Sequence, residues 1–363
     1  REYIISEYMN SINIPTTRSL AAITTGEKVV RERILPGAIL VRIANSHVRV
    51  GTFQYFAARQ MTKEIKILAD YIIERHFKLS LSSKNIYEKF LMEIIKSQAN
   101  LISKWMSAGF IHGVMNTDNT CLSGETIDYG PCAFMDIFDY NKVFSSIDYQ
   151  GRYSYKNQPN IILWNLTRFA ETILPLIDNN FNKSIKKAEE ILNEFASIYE
   201  SNWISIMGYK LGIDDANKTD KNLIEEFLTL MQNQQLDFTN SFYSLSFLIE
   251  KDQIEKEGPP KSHKIYSEIK SSDWYAKWTK RLNINKKNLK KILKTLLINN
   301  PSIIPRNHIV EKVLNDAIYE NKKDSLNDFL NALNDPYKLR TFDNPYTKPP
   351  SPNEEVNQTF CGT

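Results

Sequence analysis

Cysteine is nearly missing from this chain. Cys121, Cys132 and Cys361 are too few and too scattered for a disulfide framework or a CxxC metal site, which fits a reducing compartment. No run approaches the roughly 20 apolar residues that a membrane span needs, and the first residues lack the basic, apolar and small-residue layout of a secretory signal. Neither sign of charge is in excess. Net charge is +4 with 24% charged residues, which gives no ground for nucleic acid or a membrane as the main partner. The expected class is a cytosolic enzyme. Glycine is sparse at 12 of 363 residues; no GxGxxG or Walker phosphate loop occurs, and no VAIK-like lysine precedes Glu2. No internal repeat is present.

Apolar mass is abundant. With 42% hydrophobic and 11% aromatic residues, the chain can bury one large core or two smaller ones. Residues 1–13 pattern as a helix that Ile14-Pro15-Thr16-Thr17 breaks. Short β-rich runs at 21–25, 28–34 and 38–44, punctuated by Gly26 and Pro36-Gly37, predict an antiparallel meander. Apolar spacing then predicts long helices over 53–77 and 85–108. Between 110 and 136 short apolar runs flank Ser123-Gly124-Glu125, which predicts a small hairpin. Helical segments follow over 161–177, 182–208, 221–231, 238–250, 272–282, 287–298, 306–320 and 326–333, an all-α half. The tail from Asp335 carries five prolines and reads as extended.

The densest polar cluster is His112-Gly-Val-Met-Asn116-Thr117-Asp118-Asn119, with Asp128-Tyr129-Gly130 beginning nine residues after Asn119. Asn119 and Asp128, brought together by the hairpin, are hard oxygen ligands suited to a divalent ion that shares its shell with phosphates. Asn119 follows His112 by seven residues, the spacing of the kinase HRDxxxxN pattern, whereas Val114 stands where the kinase base would be and accepts no proton. Asp118 is the replacement base. The same Thr-Asp-Asn triplet also suits an Asx-turn or a helix cap, and His112 suits a bracing role. Arg42 and Arg49 flank a Ser46-His47 turn, where two guanidinium forks can converge on a polyphosphate or simply lie on the surface. Gly51 allows backbone N–H groups to approach an anion.

HGVMNTDNTCLSGETIDYGPCAFMD (112–136) resembles the signature of the selenoprotein O family. Further blocks carry the same resemblance: REYIISEYMNSINIPTTRSLAAITTGE (1–27), VRIANSHVRVGTFQYFA (41–57), YQGRYSYKNQPNIILWNLTRFAETILPLI (149–177), NPSIIPRNH (300–308) and the NPY-to-FCGT tail. It spans nearly the whole chain, and the PCAFMD, VFSSID and FCGT forms are similar to a bacterial subgroup.

The resemblance implies an α+β, protein-kinase-like (pseudokinase) fold, mostly helical, with a small antiparallel strand region near the N-terminus. On that basis residues 1–52 belong to an N-lobe, 53–335 form a helical C-lobe with the active-site hairpin at 110–136, and 336–363 form the tail. The implied activity is protein adenylyltransfer: ATP, bound reversed relative to kinases, gives AMP to Ser, Thr or Tyr hydroxyls of proteins. Asp118 is then the proton acceptor, Asn119 and Asp128 hold Mg²⁺ (or Mn²⁺), and Arg42, Arg49 and Asp128 meet the nucleotide. Glu2 falls where a helix-borne Glu pairs with a nucleotide-binding Lys. That Lys and a Gly-containing loop are expected upstream of Arg1, so the alternative for this chain is an impaired nucleotide-binding pseudokinase or scaffold. A bacterial cytoplasmic monomer is expected. In some members a Cys of the activation segment pairs with one near the C-terminus. Cys361 resembles the latter, but Phe144 occupies the aligned activation-segment position, which leaves a free tail thiol as the expectation.

Overall fold

Helix α1 (Glu2–Ser11) forms where Ile4, Ile5, Tyr8 and Met9 recur at helical spacing, and all four are buried. A computed structural model of the chain describes residues 1–30, 34–249, 263–320, 322 and 324–360. After α1, Asn13 turns the chain with a left-handed backbone (φ 58°) into β1 (Arg18–Val30), which pairs antiparallel with β2 (Ile34–Ile43). The expected three-strand meander is therefore a two-stranded ribbon. Its first two runs fuse because Gly26, at φ 77°, sits in a bulge rather than a turn: Thr25, Gly26 and Glu27 stand opposite Gly37 alone.

The helix predicted over 53–77 is interrupted. It is α2 (Val50–Ala57), then α3 (Thr62–Ile72), which widens into a π-turn over Ile73–Phe77. The break falls at Gln60, which adopts φ 57°. Phe53, Ile65, Ala69 and Ile72 are all buried, so one apolar periodicity runs through two helices and conceals the break. Helix α4 (Ile86–Ala108) is long and buries Phe90, Ile94, Leu101 and Trp105; it packs on α5 (Gln158–Ile177) and α6 (Phe181–Lys210).

The remaining half is helical: α7 (Lys221–Gln234), α8 (Phe238–Ile249), α9 (Lys264–Lys270), α10 (Asp273–Leu282), α11 (Leu289–Asn299), α12 (Asn307–Tyr319) and α13 (Asp324–Leu333). Only the short α9 has no counterpart in the sequence reading. The predicted end of α8 at Glu250 lies outside the described residues, as does Cys361. The architecture is mostly helical with a small antiparallel sheet near the N-terminus, within the α+β class.

A second, minimal ribbon positions the site. β3 (Phe110–Ile111) pairs antiparallel with β4 (Ala133–Phe134) and closes the base of the 110–136 segment. Alternation sends Phe110 and Phe134 into one core, with α1 and α4, and Ile111 and Ala133 into the other, with α6 and α8. The site's base is thus wedged between two packed cores. The tail is not a free extended segment: it is a series of turns pinned to the body. Thr359 bridges Ser145, its N–H bonds Phe144 O (2.8 Å), and its hydroxyl bonds Pro131 O.

Candidate active site

His112 is fully buried and stacks on Trp105, with ring centroids 5.3 Å apart. Its Nδ1 accepts the Val114 N–H (3.3 Å), which leaves Nε2–H to donate to Ile127 O (2.8 Å). Burial lowers the His112 pKa, so the ring is neutral and acts as a frame. Two buried amides complete that frame. Gln158 accepts the His112 N–H (3.0 Å) and donates to Phe110 O (2.9 Å), and Asn165 donates to Met115 O (3.0 Å).

On this frame the chain makes a 3₁₀ turn over Thr117–Asn119, capped by Asn116, whose Oδ1 accepts the Asp118 N–H (2.9 Å). The Asx-type cap and the polar cluster are thus one structure. Asn119 Nδ2 donates to Val114 O (3.0 Å), which commits the amide nitrogen inward. Asp118 is exposed and lies against the start of α2: a Cβ on Gly51 would sit 2.1 Å from Asp118 Oδ1.

The two apolar runs of the predicted inner hairpin take different partners. Residues 120–122 pair with 48–50 through Val50 N–H to Thr120 O and Leu122 N–H to Val48 O, both 3.0 Å. Thr126 instead bridges Thr16. Three hydrogen bonds still couple the candidate ligands: Asn119 to Val114, Val114 to His112, and His112 to Ile127, the residue before Asp128. Asp128 is half-buried and holds φ 68°, a conformation that L-residues take sparingly and that often marks a functional turn.

Arg49 stands at the start of α2, opposite Cys121. Arg42 is already engaged, because its guanidinium meets Glu2 at 2.5 Å. The other Glu2 oxygen accepts the Tyr129 N–H (2.8 Å), so Glu2 joins β2 to the Asp128-Tyr129-Gly130 segment. Among the described residues, both arginines keep a buried Nε without a hydrogen-bond partner. Both also lie near enough to Cys121 to oppose the ionisation penalty of its burial, yet burial dominates and pushes the thiol up to about 12. Cys132 is likewise buried, with its thiol pushed up to about 12, so neither cysteine is a reactive thiolate at neutral pH.

The sequence reading missed the Glu2–Tyr129 contact and the amides of Gln158 and Asn165, which are distant in sequence and carry no local motif. Gly51 was singled out, but its observed neighbour is the carboxylate of Asp118. Asn119 Oδ1 and the half-buried Asp128 carboxylate are oxygen donors of the hard type. Among the described residues, no helix is long and apolar enough to cross a membrane.

The family profile described as "Protein adenylyltransferase SelO" matches residues 1–334. "Protein nucleotidyltransferase YdiU" of Clostridium botulinum (strain 657 / Type Ba4) is 47% identical over 363 residues, covering 100% of this chain and 72% of that protein. The protein of that name from Clostridium perfringens is 48% identical over 365 residues, and that from Bacillus cereus 47% over 363, each with the same coverage. The chain that builds the Asp118–Asn119 turn belongs to the SelO family.

Proposed function

We propose that this chain transfers AMP from ATP to Ser, Thr or Tyr hydroxyls of proteins, with a divalent cation, Mg²⁺ or Mn²⁺. One observation carries the reading above the others. Val114 offers no proton acceptor, whereas Asp118 is exposed beside Asn119 on a turn held from below by the His112 frame. In the step proposed, the acceptor hydroxyl oxygen attacks the α-phosphorus, the bond to the α,β-bridging oxygen breaks, and pyrophosphate leaves. The hydroxyl proton passes to the Asp118 carboxylate.

Asn119 and Asp128 are the proposed metal ligands, and Arg42, Arg49 and Asp128 the groups that meet the nucleotide. The buried Nε atoms of both arginines, unpartnered among the described residues, support that assignment. A bound cation supplies charge neutralisation on the phosphates, while the chain's own groups supply orientation. We read the fold as kinase-like, with ATP reversed relative to kinases. Residues 1–52 are the N-lobe part, 53–335 the C-lobe with its site at 110–136, and 336–363 the tail. The same reading puts the reaction in a bacterial cytoplasm, in a monomer, on protein rather than on nucleic acid or a membrane.

Incubation of the chain with protein acceptors and ATP labelled separately at the α and γ phosphates tests this. Label from the α position is expected on protein; retention of γ label alone would overturn the reading. A second reading, an impaired nucleotide-binding pseudokinase or scaffold, rests on the lack of a Gly-rich phosphate loop in this sequence. It predicts thermal stabilisation by Mg²⁺–ATP without label on protein.

A further inference from the structure

Lys210 closes α6 with only 6% of its surface exposed, yet no carboxylate pairs with it among the described residues. Its Nζ lies 4.5 Å from the ring centroid of Phe242 and 5.9 Å from that of Phe238. Such contacts offset only part of the cost of burying an ammonium, so the rings do not balance the charge. Burial alone lowers the Lys210 pKa to about 7.

The side chain borders a cavity of about 240 Å³ between α1, α4, α6, α8 and α11. Among the described residues, no Asp or Glu lines it. A second ammonium, Lys104, stands on its wall with Nζ 2.7 Å from Asn13 O, and its pKa too is lowered by burial. Thr239 and Asn299 add polar groups, and Ile206 and Phe238 supply an apolar wall. The volume falls below the roughly 300 Å³ at which ordinary ligand pockets begin. That restricts an occupant to a few heavy atoms. Inorganic phosphate has no part to place against the apolar wall.

We propose that this cavity is a binding site for a small organic carboxylate, with the carboxylate on Lys210 Nζ and a short apolar body against Ile206 and Phe238. The site is separate from the Asp118–Asn119 turn and does not depend on the reaction assigned there.

Butyrate is a suitable probe, with butyramide as its uncharged counterpart and inorganic phosphate at matched ionic strength as the compact-anion control. The expected result is a rise in Tm with butyrate and none with the other two, because a ligand that binds only the folded chain stabilises it. Lys210→Met keeps the side-chain length and is expected to abolish the shift. The proposal fails if butyrate leaves Tm unmoved, if the variant shifts equally, or if phosphate matches butyrate. Should the variant not fold, lysine Cε labelling of the wild-type chain decides: the lysine resonance that titrates near neutrality must move on adding butyrate, and an unmoved one overturns the site.

Discussion

The carboxylate of Asp118 occupies the space that a side chain on Gly51 would fill: a Cβ there would lie 2.1 Å from Oδ1. Gly51 is inside α2 and its backbone is not left-handed, so alanine fits its conformation and improves helix propensity by up to about 1 kcal/mol. Gly51→Ala is therefore expected to keep or raise Tm while displacing Asp118. AMP transfer should fall by about ten-fold or more, since small misplacements of a catalytic group are costly. Thermal melts and α-label transfer, measured on the same preparation, separate the two effects.

Asp118→Ala is expected to lower transfer by about 10²–10⁴-fold, the usual contribution of a positioned base, with Tm nearly unchanged because the side chain is exposed. Wild-type rates in that variant would remove Asp118 from its role.

Glu2→Ala strips the partner from Arg42 and from the Tyr129 N–H in one step. Leaving these donors unmet is expected to destabilise the chain by about 1–3 kcal/mol in urea melts. A double-mutant cycle with Arg42→Ala should show coupling between the two sites; strict additivity would mean the ion pair contributes nothing.

Arg306 is fully buried, pairs with Asp136 and Asp237, and donates to Thr347 O (3.0 Å). Arg306→Met leaves two carboxylates uncompensated and is expected to cost about 3–5 kcal/mol. Because Thr347 belongs to the tail, the variant should also release residues 336–360 to limited proteolysis before the body unfolds.

Lys210 sets a pH dependence. Its folded pKa, about 7, lies below the roughly 10.4 of an unfolded lysine, so between those values the unfolded chain binds more protons. This group's contribution therefore makes stability rise with pH from about 7 to about 10, by at most about 1.4 kcal/mol per pH unit. Lys104, Tyr8, Tyr209 and Tyr337 face the same cavity and are common to wild type and Lys210→Met. The difference between the two proteins' urea stabilities, followed from pH 6 to 10 in carboxylate-free buffer, should carry that slope; parallel curves would refute it.

Helices were readable from the sequence wherever the apolar periodicity runs unbroken, as in α4 and α5. The α2–α3 break was hidden because both helices bury one continuous apolar face, and the ribbon was over-divided because Gly26 serves a bulge as readily as a turn. At the site, the turn at Asp118–Asn119 was visible as a polar cluster with kinase-like spacing. Its supports were not: Gln158, Asn165 and Glu2 act across 46, 50 and 127 residues of sequence, and no local pattern encodes such reach.

The stitch at Thr359 also orders events during synthesis. Pro131, which accepts its hydroxyl, is made 228 residues earlier, and Phe144 and Ser146 share the same late partner. These loops reach their native pairing only after Thr359 has been made, so the segment beside Asp128 completes its contacts well after its own residues have been synthesised.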